Sequence, residues 1–415
     1  LPMHLPITSW LSWTGLVSCD DLAKMPPITS GTSTMQIGRA GNWRPFTTIS
    51  RGKMVTEGRS RPRWGQEARC RSPREKESES MLVTIIIPAH NRQELIGATL
   101  DSVREQVYRP IEIVVVDDGS TDGTPEAVTD WKRALPAGAD LQIRCYRQVN
   151  RGAPAARNRG LALANGRFIQ FLDSDDRLAP TKLRDQVRAL KRSPRADFAF
   201  SRWEYFGEKI PGYSPYWAED FRADRNRLIN LMLQENRRHY LPLHTGSTLY
   251  RREFCRRLGG WDEDLRCYQD VVYNTRALVL AERFCYVPRV QMFARRTTGE
   301  HVSGPLASEE KARSVLLGLG RIRDILRQHG ALSPHRRFLL GKALVFLAWG
   351  AFAAGAFRAG DRAVLRASRI CPASSMRLVA GLTRLLSSCG AGRLAPQMQV
   401  LWKRVPACIK RAMRW

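Results

Sequence analysis

The sequence is poor in acid and has no paired cysteines, and each shortage excludes something. Its 39 Asp and Glu stand against 67 Lys and Arg, a formal charge of +28 over 415 residues. Such a balance favours anionic neighbours, whether nucleic acid, lipid head groups or phosphorylated substrates, without naming a chemistry. Nine cysteines lie singly, an odd number with no CxxC pair; this argues against a disulfide framework or a zinc site and for a reducing cytoplasm. No GxGxxG follows the first strand-like run, so a Rossmann dehydrogenase is excluded. No recognisable nucleic-acid module occurs, and the few acids are clustered where they would repel a phosphate backbone, so no nucleic-acid partner is expected. Residues 11–19 are too short and too poorly flanked for a signal peptide.

Residues 1–80 lack sustained periodicity and close on the charged stretch "RCRSPREKESES", the composition of a segment with little to bury. They are expected to be a disordered tail or an over-extension of the gene, with the folded protein starting near Met81. Strand and helix patterns alternate from there. "LVTIII" (residues 82–87) and "IEIVVV" (111–116) are continuous apolar runs of the kind buried on both faces of a sheet. Asn91 with Glu94 reads as a capping box for a helix whose face is Leu95, Ile96, Leu100, Val103 and Val107. Thr124-Pro125 opens a second helix toward Leu135. A third is expected over 155–164, between strands "IRCYR" and "FIQFL". This spacing predicts an α/β fold, a mostly parallel sheet with helices on both faces. Ligands on such sheets sit beyond the carboxyl ends of the strands, where "PAHN", "DDGSTD" and "DSDD" all emerge.

Asp173, Asp175 and Asp176 are three carboxylates in four positions, and they repel one another unless a positive group sits among them. A divalent metal, Mn2+ or Mg2+, is one such group; a helix-capping turn with solvated acids is the alternative. "DDGSTDGT" has the form of a loop that binds a base or ribose, and equally of a polar turn in which Asp118 caps. Arg157 and Asn158 fall near a helix start, a favourable place for a diphosphate, although surface arginines are common in this chain.

In combination and in order, "TIIIPAHNR", "VVVDDGSTDGT", "AARNRGLALANGRFIQFLDSDDRLAP" and "GGWDEDL…QD" closely resemble family 2 glycosyltransferases, the inverting enzymes of GT-A fold. The resemblance covers about residues 81–295. It implies a nucleotide-sugar donor, usually UDP-linked, and a metal at the DxD. Pro88, Ala89, His90 and Asn91 match the first nucleotide-contacting loop, with His90 where an aromatic is usual. Asp118 matches the acid that reads the uracil edge and Asp117 its neighbour. Arg157 matches the arginine near the diphosphate; Asp173 matches the first acid of the DxD, facing ribose or metal, and Asp175 the metal ligand proper.

The resemblance also implies a base, the second residue of an acidic pair, which here is Gln269-Asp270. Asp270 opens an expected helix over 270–281, whose dipole favours a carboxylate there. Trp261, Asp262 and Gln269 are the acceptor-side candidates. Arg276, about 240° around the helix from Asp270, is not expected to share its face.

Beyond residue 300 the chain reads as a basic helical region, 301–415, with four acids after Pro305 against 20 Lys and Arg. Its longest apolar run, residues 339–357, approaches bilayer-spanning length. Lys342, alanines and glycines interrupt the run, and the next segment has matching amphipathic spacing. A soluble αα-hairpin is therefore expected, with the basic tail 403–415 suited to anionic lipid on the cytoplasmic face of a membrane. The expected activity is transfer of a sugar to a glycan or lipid-linked acceptor in surface polysaccharide synthesis. The rivals are a sugar nucleotidyltransferase, disfavoured because "PAHNRQE" lacks glycine, and a basic nucleic-acid-binding protein.

Overall fold

The computed structural model describes residues 81–136, 140–207, 224–233, 241–296 and 308–370. The expectations for residues 1–80 and for the basic tail lie outside the described residues.

The apolar runs form the strands expected of them. β1 (Val83–Ala89) and β2 (Ile111–Asp117) are buried along their whole length. They pair in parallel, with β4 (Phe168–Phe171) on the other side of β1 and β3 (Leu141–Arg147) beyond β2. The first acid of β2, Glu112, is buried but satisfied: it accepts from Thr84 Oγ1 at 2.6 Å, from Asn165 N and Nδ2, and from Arg144. A carboxylate buried without such partners would be costly.

The second half of the sheet changes direction. β7 (Thr248–Arg251) runs antiparallel to both β4 and β6 (Ala196–Gly207). β8 (Arg283–Arg296) runs parallel to β6 and antiparallel to the two-residue β5 (Arg177–Leu178). The sheet of eight strands, ordered β3-β2-β1-β4-β7-β6-β8-β5, is therefore mixed.

Helices cover both faces. α1 (Ile96–Arg104), α2 (Thr124–Arg133) and α4 (Lys182–Arg192) enclose one core through Leu100, Val128, Leu183 and Val187. α3 (Ala153–Leu163) packs on Val114 and Val116. The other large core joins Phe171, Phe198 and Tyr250 of the sheet to α5 (Arg225–Leu233), α6 (Arg252–Leu258) and α7 (Gln269–Leu280). It runs on without a break into α8 (Glu309–Gln328), α9 (Pro334–Ala353) and α10 (Phe357–Ile370). The basic C-terminal helices thus share a core with the sheet.

Three local expectations are corrected. Asn91 does not cap α1, which starts at Ile96 after Leu95 without a side-chain cap. Its own φ is 51°, and its Oδ1 accepts from Thr121 N at 2.9 Å, tying two loops instead. Val107 lies past the end of α1 and is exposed. α3 begins two residues earlier than expected, so Arg157 and Asn158 stand one turn inside it rather than at its start. The αα-hairpin is present as α9 and α10, and among the described residues no helix is long and apolar enough to cross a membrane.

Candidate active site

The parallel register of β1, β2 and β4 brings Ala89, Asp117 and Phe171 to one edge, so the three polar loops open side by side. The three acids after β4 receive three different environments. Asp176 is 4% exposed and accepts the backbone N–H of Arg295 at 2.9 Å, which anchors the loop to β8. Burial first, and then Asp173 and Asp175, push its carboxyl well above the usual range. Asp173 accepts from Arg157 Nη2 at 2.6 Å. Burial opposes its ionisation, but Arg157, His244 and Arg92 outweigh that and hold it below the ordinary value. Asp175 forms a long ion pair with Arg92 Nε, 3.9 Å away, and its side chain is 30% exposed. Burial and the Asp173 charge raise its carboxyl, a condition that an added cation relieves.

Asp175 with Asp173 therefore fits a hard divalent cation. Among the described residues no three His, Cys, Asp or Glu side chains converge on a metal point. Mg2+ or Mn2+ takes one or two carboxylates and completes its shell with water and phosphate oxygens, so two acids are enough for it.

Arg157 is nearly sealed, its side chain 4% exposed, and its guanidinium lies 4.4 Å over the Trp261 ring. Its Nε and Nη1 are buried without a hydrogen-bond partner among the described residues, so it retains donor capacity beyond Asp173. Trp261 itself stacks on Tyr273 at 4.2 Å with rings parallel. Both its faces are covered and it is 4% exposed, so it cannot lie on a sugar ring; its place is to support Arg157.

The β1 and β2 loops lock each other. Asp117 is fully buried; its Oδ1 accepts from Ser120 N and its Oδ2 lies 3.4 Å from Arg147. Asp118 is 3% exposed, and its carboxylate accepts from Gln148 Nε2, Arg151 N and Gly152 N. The Asp118 bonds hold the entry to α3, whereas Asp117 Oδ2 is buried without a hydrogen-bond partner among the described residues. Pro88 and Ala89 are buried residues of β1 and offer only backbone to a ligand. His90 and Asn91 are exposed, with Asn150 Nδ2 3.2 Å from His90 Nε2.

Asp270 stands in the first turn of α7, half-buried, on a loop held from far along the chain. Asn158 grips "GGWDE" by accepting from Trp261 N at 2.7 Å and donating to Trp261 O and Glu263. Gly260 has φ +80°, and a Cβ there would meet Asn158 Oδ1 at 2.8 Å. Arg276, on the helix side away from Asp270, donates to the carbonyls of Leu258 and Gly260 at 2.7 and 3.0 Å. From α8, Arg321 pairs with Asp262 and Asp264 at 3.0 Å each, and Ser314 exchanges hydrogen bonds with the Cys267 backbone. Asp262 is thereby a brace to α8, whereas Gln269 keeps a buried Oε1 with no partner among the described residues.

One residue of the site escapes sequence reading altogether. His244 caps the short 3-10 turn Thr245–Ser247, its Nδ1 accepting from Gly246 N at 3.3 Å. Burial lowers its imidazole below the usual value despite Asp173, Asp270 and Asp175, all close enough to act on it. The turn is fixed from beneath. Gln170 Nε2 donates both to Phe171 O and to Gly246 O, and Gln186 Nε2 donates to Ser247 O. The fully buried Lys182 donates to the side-chain oxygens of both glutamines. "PLHTGS" resembles an ordinary turn, and nothing in its spacing marks it.

Residues 84–259 match the family model described as Glycosyl transferase family 2. UDP-Glc:alpha-D-GlcNAc-diphosphoundecaprenol beta-1,3-glucosyltransferase WfaP of Escherichia coli is 39% identical over 129 residues, 31% of this chain and 47% of that protein. Minor teichoic acid biosynthesis protein GgaA of Bacillus subtilis (strain 168) is 28% identical over 220 residues, 52% of this chain and 47% of that protein. The chain spans about half the length of the curated relatives it matches. The crystal structure of S. aureus TarS 1-349 in complex with UDP-GlcNAc is similar in fold, with a TM-score of 0.55 at 18% identity, covering 77% of this chain and 91% of that one.

Proposed function

We propose, for a chain whose residues 84–259 form a family 2 glycosyltransferase domain, an inverting transfer of a sugar from a nucleotide-linked donor to an acceptor hydroxyl. The observation that carries the reading is Arg157, which pairs with Asp173 at 2.6 Å and lies 4.4 Å over Trp261, joining the acids after β4 to the loop that leads into Asp270. That link supports a site in which the metal-binding acids and the base act on one donor, as a single in-line displacement at an anomeric carbon needs.

In this reading Asp270 takes the proton of the acceptor hydroxyl as the new bond forms. Arg157 directs its free N–H groups at the departing diphosphate. Asp175, with Asp173, holds Mn2+ or Mg2+, which when bound neutralises the charge developing on that diphosphate. His90, Asn91 and the backbone of Pro88 and Ala89 border the nucleotide. Asp118 acts by holding the loop, its carboxylate accepting from Gln148, Arg151 and Gly152, whereas Asp117 holds Ser120 through Oδ1 and keeps Oδ2 for the nucleotide. Gln269, with its unpartnered Oε1, is the acceptor-side contact.

The relatives' names support a UDP-linked donor and a glycan or lipid-linked acceptor in cell-envelope polysaccharide synthesis. A lipid-linked acceptor would bring the basic C-terminal region to an anionic membrane face, as a peripheral contact. Calorimetric titration of the full chain with UDP, GDP and CDP, with and without Mn2+, tests the donor site. Metal-dependent binding of one nucleotide, lost in Asp175→Asn, is the expected result. A folded wild-type protein that binds none of them with metal present would refute the reading.

A further inference from the structure

The roles proposed for Asp173, Asp175 and Asp270 leave the transferred sugar itself without a protein contact. The departing diphosphate lies toward Asp173 and Asp175 and the acceptor oxygen toward Asp270, so the transferred ring must lie in the interval. His244 stands beside the acid loop, because β7 pairs antiparallel to β4 with Gln170 opposite Leu249, and Gln170 ties the Phe171 carbonyl to that of Gly246, two residues past His244. Its imidazole is not free to turn. Gly246 N–H occupies Nδ1, which sets the neutral tautomer so that Nε2 carries the proton. The Trp203 ring, 2% exposed, backs the imidazole at 4.7 Å. No group among the described residues hydrogen-bonds Nε2.

The fold gives this turn unusual support. A buried lysine with no carboxylate partner costs stability, yet Lys182 is retained to orient Gln170 and Gln186 toward the carbonyls of Gly246 and Ser247. Gln170 joins the residue preceding the acid loop to the residue two beyond His244, so the imidazole and the DxD keep a fixed spacing. A Cβ at Gly246 would lie 2.8 Å from Met292 Cε, so a side chain there would have to push that methyl aside.

We propose that His244 is a sugar-recognition residue: its Nε2–H donates to a hydroxyl of the hexose carried by the nucleotide donor, and so helps select which sugar is transferred. The inference rests on the nucleotide-sugar reading above and adds the group that contacts the sugar rather than the nucleotide. A fixed, uncharged donor suits a neutral hydroxyl. A site built around such a bond discriminates against sugars that cannot complete it, because the donor is then left unpaired.

The test compares nucleotide with nucleotide sugar. Wild type, His244→Phe and His244→Gln, each as the full chain with Mn2+, are titrated with UDP, UDP-glucose, UDP-N-acetylglucosamine and UDP-galactose. All three proteins are expected to bind UDP within about twofold of one another, which also shows the variants folded. His244→Phe is expected to lose about tenfold in affinity for the sugar donor that wild type prefers. His244→Gln, whose amide nitrogen reaches the position of Nε2, is expected to keep most of it. Equal losses for UDP and for the UDP-sugar, or no loss at all, would overturn the assignment. A wild type that binds UDP but no UDP-sugar would overturn it while leaving the nucleotide site standing, whereas a wild type that binds neither would overturn the donor reading and this inference together.

Discussion

On one side of the candidate site, the loops after β1 and β2 are fastened to their neighbours within a short stretch of chain: Asn91 to Ser120 and Thr121, Asp118 to residues 148–152. On the other side, the loop carrying Asp270 is fastened by Asn158 from more than 100 residues away and by Ser314 and Arg321 from a helix beyond residue 300. The first side is a parallel sheet edge whose ladders fix it almost by themselves. The second is an assembly of parts that must each fold before the proposed base is in place. Donor binding and proton removal should therefore fail separately, and the C-terminal helices should matter to the second alone.

The largest effect separating the two sides is expected at Asp270 itself. Asp270→Asn should reduce kcat by about 10²- to 10⁴-fold while Mn2+-dependent UDP affinity stays within twofold, read by turnover and calorimetry on the same preparation. Parallel losses in both would mean that the two sides are not independent.

A smaller effect is expected from Arg321→Ala on α8. It removes both ion pairs to Asp262 and Asp264. The arginine is partly exposed, so the stability change should be about 1 kcal/mol or less. Because a base shifted by a fraction of an ångström reacts poorly, kcat should fall by about tenfold with UDP affinity again unchanged. Loss of UDP affinity instead would place α8 on the donor side.

The smallest effect sharpens the comparison at the seam between the sides, where Lys182 lies under the His244 turn. Burial holds the Lys182 amine well below its ordinary value. Between that depressed folded-state value and about 10.4, the unfolded chain binds a proton that the folded chain does not. Stability from this group therefore rises with pH across that window and is already reduced at its lower end. Denaturant midpoints of wild type should climb with pH relative to those of Lys182→Met, which lacks the group. Parallel pH profiles for the two proteins would show that the amine is charged in the folded state.

The strands and their terminal acids were legible because a run such as "VTIIIPA" has few alternatives to a strand buried on both faces, and because parallel strands deliver their loops to one edge. The uses of those residues were less so. Trp261 has the sequence context of a ligand-stacking residue and becomes the platform of Arg157 because Tyr273 arrives beneath it. Asn158 looks like a helix-start residue and instead grips a loop about a hundred positions on. Arg276 was rightly placed away from Asp270, and that same direction lets it hold the Leu258 and Gly260 carbonyls. His244 carries no local mark at all.

The sequence by itself determined the strands, the edge on which the acids emerge and the candidates for metal and base, since periodicity and chain order dictate these. Only the tertiary structure decided which acid is used for what. Asp176 is spent on the Arg295 backbone, Asp173 is shared with Arg157 and Asp175 is left available, while Asp118 closes on its own loop. Desolvation and charge pairing act over a few ångströms of space, and distance along the chain does not reveal which groups will meet there.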